Sequence, residues 1–218
     1  MRQRRNNLSS DKQSVTGIIL AGGKNLRFGR VKALEIIGGQ TIFERVLDRM
    51  RPVASELIVV TAAGNPELPI PPDIKVVQDL YPGAGPLGGI YTGMVASRTD
   101  INAAVASDMP FLSTPLLRHL AELLPGYDVV IPVLQEDYLI EPLHAVYSKS
   151  CLPAMKSQLE AGKFSIRQVF RQLKVRYADE AECRQYDPQL LSFFNINVPS
   201  DLDLALEIAE KEKAGGRP

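Results

Sequence analysis

Residues 15–32, VTGIILAGGKNLRFGRVK, hold the densest chemistry in the chain. An apolar, largely β-branched run with Val15, Ile18, Ile19 and Leu20 turns through Ala21, Gly22 and Gly23. It enters a loop bearing Lys24, Arg27, Arg30 and Lys32. Glycines let backbone N–H groups approach an anion closely, and fixed cations neutralise its charge. Strand, glycine turn and cations together make a cradle for a polyphosphate. A second loop, DLYPGAGPLGGIYTG at residues 79–93, places five glycines and two prolines after Asp79, on the approach to a helix. A third feature is Asp108, which follows the small-residue run INAAVAS at residues 101–107.

The elements that must carry these loops can be read from periodicity and punctuation. Apolar runs predict strands at 15–20, 56–61, 74–78, 101–107, 127–133 and 143–147, with extended pieces at 33–37 and 173–177. Thr41 with Glu44 three residues on has the form of a capping box. The helix it opens carries Ile42, Val46, Leu47 and Met50 and stops near Arg51, before Pro52. Further helices are predicted over 86–97, from Thr114 with Pro115 in its first turn, over 149–161 and over 165–172. Residues 193–198, FFNINV, read as a short strand or loop. Pro199 then opens a last helix whose apolar positions are Leu202, Leu204, Leu206 and Ile208. Strands alternating with helices imply a mostly parallel α/β sheet, in which ligands bind at the carboxyl ends of strands. Ala21-Gly22-Gly23, Asp79 and Asp108 all fall at such ends.

Composition narrows the function class. Lys+Arg and Asp+Glu are both 25 in 218 residues, so the net charge is zero, which argues against a nucleic-acid binder. The two cysteines, Cys151 and Cys183, lie far apart outside any CxxC and read as reduced thiols in a cytoplasmic protein. The basic start, MRQRRNNLSSDKQS, precedes no long apolar segment, so neither a signal peptide nor a membrane anchor is expected. Residues 1–13 read as a disordered tail and 14–213 as one domain.

Five blocks now carry a resemblance. LAGGKNLRFGRVK is similar to the LAGGxSxRMGxDK signature of the molybdenum cofactor guanylyltransferases. GPLGG at 85–89 resembles that family's GPLAG loop, and AVASDMPFL resembles its strand ending in a metal-binding aspartate. EPLHAVY and FFNINVPSDL resemble two later blocks, in the same order. The blocks span residues 16–206. The resemblance implies a Rossmann-like, three-layer αβα nucleotidyltransferase fold with a mostly parallel sheet in a single domain. It also implies transfer of GMP from GTP to molybdopterin, assisted by magnesium (Mg2+), with pyrophosphate leaving. The partners it implies are GTP, molybdopterin and the molybdoenzyme apoproteins or other cofactor-biosynthesis proteins that follow.

Carried over residue by residue, the resemblance places Leu20, Ala21, Gly22 and Gly23 against the nucleotide through their backbone. Lys32 stands at the signature lysine and Arg27 at the signature arginine, both on the phosphates, with Lys24 beside them. Asp108 stands at the metal aspartate, Asp79 at the nucleotide-contacting aspartate, and Gly85, Leu87 and Gly88 in the base loop. Asn195 and Asn197 fall in the block near the acceptor, where an asparagine of related enzymes helps bind metal. His144 falls in EPLHAVY as a candidate for the acceptor site. Each has a plainer role too: Lys24 as a solvated loop charge, Asp79 and Asp108 as turn residues, the asparagines as backbone-bonding turn residues, His144 as a core histidine.

Two positions depart from the family pattern. Val31 stands where the signature has aspartate, and Thr61 stands where a nucleotide-contacting asparagine often follows the second strand. Thr61 keeps a hydroxyl that can hydrogen-bond, whereas Val31 offers nothing polar. Other readings stay open: a molybdopterin cytidylyltransferase, disfavoured by GPLGG; a sugar-phosphate or methylerythritol-phosphate nucleotidyltransferase, disfavoured by the SDMPF and FNIN blocks; and a non-catalytic protein that binds nucleotide or pterin and delivers cofactor. Loss of Asp108 separates the last from an enzyme.

Overall fold

The structure, a computed structural model, describes residues 14–21, 31–62, 68–134 and 139–214. Its centre is β1 (Val15–Ala21), flanked in parallel by β4 (Glu56–Thr61) on one side and β6 (Ile101–Ala106) on the other. Both flanks are explained by sequence. Ile18 and Ile19 point to opposite faces and neither is exposed, as a strand covered on both faces requires. The sheet runs β10-β7-β9-β6-β1-β4-β5, where β5 is Lys75–Gln78, β7 is Val129–Leu134, β9 is His144–Ser148 and β10 is Val175–Asp179. β8 (Leu139–Ile140) pairs with the end of β7. β9 runs antiparallel to both neighbours, and β8 to β7; every other pairing in this sheet is parallel.

Helices cover both faces. One core holds Ile19, Phe43 and Met50 with Leu116, Leu117 and Leu120, under α1 (Ile42–Met50) and α3 (Thr114–Glu122). The other holds Ile18, Ile90 and Met94 with Met155, Leu159 and Phe170, under α2 (Pro86–Ala96), α4 (Leu152–Glu160) and α5 (Ile166–Phe170). The Thr41 capping box forms as expected: Glu44 N donates to Thr41 Oγ1 at 3.1 Å, and Thr41 N donates to Glu44 Oε2 at 2.7 Å. The chain steps from β1 to β4 and β5 on one side and then to β6 on the other, so the strand order reverses beside β1, where a crevice opens at the carboxyl edge.

Several expected elements differ. Residues 32–34 form a 3-10 turn rather than extended chain, and Ile36–Ile37 (β2) then pairs with Gln40–Thr41 (β3) through Gly38 and Gly39, at φ 61° and 88°. Those positive angles need glycine. Residues 193–198 join no sheet: a 3-10 turn at Leu191–Phe193 leads into loop. A short helix, α6 (Glu180–Arg184), was not expected; Asp179 caps it by accepting from Glu182 N at 2.8 Å. In α7 (Pro199–Ala214) the contact is made by Ala205 and Ala209, with Leu202 and Ile208 beside them, whereas Leu204 and Leu206 are exposed. At 100° per residue, 202, 205 and 209 share a face, 206 lies at its edge and 204 on the far side. Glu212 of α7 pairs with Arg45 and with Arg49 of α1, the second at 2.8 Å.

α2 lies close on β1 because it carries glycine where it crosses. A Cβ at Gly93 would overlap Cγ2 of Ile18 and lie 2.9 Å from its Cδ1. A branched side chain locked in a two-sided core yields poorly to such an intrusion. Gly93→Ala should therefore lower stability by roughly 1–2 kcal/mol, overpacking outweighing the helix propensity gained. Urea denaturation checks this, and an unchanged or raised midpoint would contradict the packing described.

His144 belongs to the other core, on the α1 and α3 face, where Val105 and Val146 lie. It is fully buried, lies opposite Val105 of β6, and meets the ring of Phe193 edge-on at 4.9 Å. Neither ring nitrogen has a hydrogen-bond partner among the described residues, and burial holds its pKa down from 6.5 to about 3. As pH falls below 6.5 the unfolded chain takes up a proton that the fold refuses. The associated stability is thus complete above 6.5 and lost progressively toward 3. Between pH 6.5 and 4, His144→Leu should remove a slope of up to about 1.4 kcal/mol per pH unit from the stability curve. Parallel curves for variant and wild type would rule this out.

Candidate active site

The carboxyl ends of β1, β4, β5 and β6 bring three sequence-predicted groups to one edge. Ala21 pairs with Thr61, and Thr61 with Gln78, which precedes Asp79. Leu20 pairs with Ala106 of β6, and Ser107 N donates to Leu20 O at 3.1 Å, directly before Asp108. Leu20, Ala21, Thr61, Asp79 and Asp108 thus line one rim. Gly22 and Gly23, expected against the nucleotide, and Lys24 and Arg27, expected on the phosphates, lie outside the described residues.

Lys32 and Asp108 form the charged centre. Lys32 is only 9% exposed, and its Nζ donates to Ile196 O at 3.0 Å. Ile196 N in turn donates to Asp108 O at 3.3 Å, so one residue of the FNIN block bonds to both. Burial pushes the Asp108 carboxyl above its ordinary range, while the Lys32 charge pulls it back. A carboxylate that is costly to keep ionised in apolar surroundings gains by meeting a cation.

The loop after Asp108 is fixed by a residue that no sequence motif marked. Arg45 is 8% exposed; its Nε donates to Pro110 O at 3.3 Å, and its guanidinium lies 5.1 Å from the centroid of the Phe111 ring. At 100° per residue Arg45 falls away from the stripe of Ile42, Val46, Leu47 and Met50, so the sequence carries no local signal for it. Asp201 plays the matching part for the asparagine loop, accepting from Asn197 N at 2.6 Å and Val198 N at 2.9 Å. Ile196 is buried between half-buried Asn195 and exposed Asn197. The two side chains therefore flank an anchored residue at the site's edge, although the segment is not a strand.

Asp79 serves its own turn and keeps capacity over. Its Oδ1 accepts from Tyr81 N at 3.0 Å and Thr92 Oγ1 at 3.1 Å, while Oδ2 accepts from no described residue. Gly88 packs under this turn: a Cβ there would sit 2.9 Å from Tyr81 O and 3.3 Å from Asp79 Oδ1. Gly85 begins α2 at φ 64°, a glycine conformation. Leu87 is fully buried and supports the loop from below. Thr61 is buried, and its carbonyl accepts from Asp79 N at 2.8 Å. Its backbone thereby sets where Asp79 begins. Val31 precedes the 3-10 turn and packs against the core under α1, an apolar role that suits the residue found there.

His144 does not join these groups at an accessible surface. Its ring is enclosed behind Phe193, and an acceptor cannot touch it in this conformation. Among the described residues no cluster of three His, Cys, Asp or Glu side chains could cage a metal. Magnesium does not need one: it commonly takes one or two carboxylates and completes its shell with water and substrate phosphates. Asp108 fits that pattern.

Comparison with known proteins agrees with the geometry. Residues 17–177 match the family described as MobA-like NTP transferase domain. A protein of Pelotomaculum thermopropionicum named "Probable molybdenum cofactor guanylyltransferase" is 36% identical over 201 residues, covering 92% of this chain and 96% of its own. The "Molybdenum cofactor guanylyltransferase" of Desulfosudis oleivorans is 35% identical over 194 residues, 88% of this chain and 94% of its own. The structure of molybdopterin-guanine dinucleotide biosynthesis protein A from Archaeoglobus fulgidus superposes with a TM-score of 0.73 at 28% identity, over 90% of this chain and 99% of that one. A 2-C-methyl-D-erythritol 4-phosphate cytidylyltransferase from Thermus thermophilus shares the fold, with a TM-score of 0.68 at 22% identity over 91% and 100%. By this match and by the identity it shares with these relatives, the chain belongs to the molybdenum cofactor guanylyltransferase family of MobA-like NTP transferases.

Proposed function

We propose that this protein transfers GMP from GTP to molybdopterin. A phosphate oxygen of molybdopterin forms a new bond to the α-phosphorus of GTP, the α–β anhydride bond breaks, and pyrophosphate leaves. The observation that carries the reading is the Lys32–Ile196–Asp108 arrangement, a buried cation and a desolvated carboxylate joined through one loop at the switch point of the sheet. Such transfers ask a protein chiefly for positioning and charge neutralisation. Lys32 neutralises the phosphates, and Asp108 holds magnesium, which when bound supplies charge compensation at the phosphates. Leu20, Ala21 and Thr61 position the nucleotide along the rim. Asp79 Oδ2 accepts from guanine N–H groups or from ribose. Asn195 and Asn197 face the acceptor. Lys24, Arg27, Gly22 and Gly23 complete the phosphate cradle by resemblance.

Among the described residues no helix is long and apolar enough to cross a membrane. Both cysteines are free and buried, which suits a reducing cytoplasm. Delivery of the product to a molybdoenzyme apoprotein would follow.

Purified protein with magnesium, GTP and molybdopterin should release pyrophosphate. Asp108→Asn, which keeps shape and loses charge, should cut turnover at least a hundredfold. A fully active variant would refute the metal role, and an inactive wild type would refute the transferase. GTP with magnesium should also raise the melting temperature more than CTP or ATP does. Equal shifts for the three would sink the guanine assignment.

A further inference from the structure

The EPLH turn carries a half-buried carboxylate, that of Glu141. Glu141 follows β8, and its backbone is fixed on both sides: its N–H donates to Pro132 O at 3.2 Å, and its carbonyl accepts from His144 N at 3.0 Å. The next residue is fixed too, because the buried Tyr147 hydroxyl donates to Pro142 O at 2.8 Å. On this rigid turn the Glu141 side chain is half-buried, yet its carboxylate meets no donor or cation among the described residues. Burial alone pushes its carboxyl up from the ordinary range. A desolvated carboxylate without a partner is costly, and such groups call for an explanation.

Topology places the turn at the edge that holds Asp108. β9 is antiparallel to β6, so the start of β9 lies beside the carboxyl end of β6. β7 is antiparallel to β9, so its carboxyl end lies at that same edge, where Glu141 bonds to Pro132. In the strand order β10-β7-β9-β6-β1-β4-β5, Asp108 follows β6, Asp79 follows β5, and Glu141 sits over β7 and β9. Two carboxylates with spare acceptor capacity thus stand on opposite sides of Asp108.

Guanine and pterin share a 2-amino-4-oxopyrimidine ring. Each presents a ring amide N–H next to an exocyclic amine, a pair of donors that one carboxylate accepts. We propose that Glu141 recognises the acceptor substrate by taking the amide–amine edge of its pterin ring, as the counterpart of Asp79 on the guanine side. This rests on the transfer reading given above and extends it to the residue that selects the acceptor. His144, enclosed behind the turn, is then a support of this wall and not a contact.

The test is steady-state kinetics of Glu141→Gln, an isosteric change that turns one acceptor atom into a donor facing donors. Glu141→Ala serves as a second variant should glutamine perturb the turn. Acceptor KM should rise roughly tenfold to a hundredfold, the loss of a charge-assisted pair. The GTP-induced melting shift should stay at the wild-type value and should fall only in Asp79→Asn. Unchanged acceptor KM in both Glu141 variants, with the wild type active, overturns the inference alone. A lost GTP shift in the Glu141 variants overturns it too, since the residue would then serve the nucleotide side. A wild type that transfers nothing to molybdopterin overturns the functional reading and this inference with it.

Discussion

A lysine ammonium brought to 9% exposure must be met by acceptors, and this constraint organises the edge of the sheet. Lys32 is met by the carbonyl of Ile196, whose own N–H returns to the backbone of Asp108. Three segments far apart in sequence are thereby set relative to one another. Each has its own anchor. The capping box and the Gly38–Gly39 hairpin fix the chain after Lys32, Arg45 fixes the chain after Asp108, and Asp201 fixes the chain after Ile196. Glu212 of the last helix closes the set by pairing with Arg45 and Arg49, so α7 reaches the charged centre through α1.

Around that centre the edge has two halves. On the β4–β5 side, the first turn of α2 and the Asp79 turn pack without spare room, because Gly88 lets them touch. On the β7–β9 side, a reversed strand brings the EPLH turn to the same edge as the parallel strands. One strand of opposite direction is therefore what gives the sheet a second wall. The order β10-β7-β9-β6-β1-β4-β5 places Asp108 between the halves, where a group passing from one to the other must cross.

Much of this was legible in the sequence, because it rests on local rules. The buried strands, the Thr41 capping box, the Pro86 and Pro115 helix starts and the carboxylates at strand ends all follow from residues a few positions apart. What was not legible depends on distant partners. Nothing in FFNINV tells that Ile196 is anchored to Lys32 and so leaves the sheet. In α7 four large apolar residues drew the eye, whereas two alanines make the contact, because the facing surface admits close approach. His144 read as a candidate contact, and only the Phe193 ring shows it enclosed. Arg45 carries no local mark of its role, which is set by Pro110, Phe111 and Glu212 around it.

The proposed transfer divides the edge, with nucleotide over β1, β4 and β5, acceptor over β7 and β9, and reaction at Asp108. A crystal structure with magnesium and a GTP analogue that resists transfer tests it most directly. Guanine should lie against the Asp79 turn and the start of α2, with the α-phosphate between Lys32 and Asp108 and the EPLH turn left open. Guanine bound over β7 and β9, or phosphates remote from Lys32 and Asp108, would contradict it.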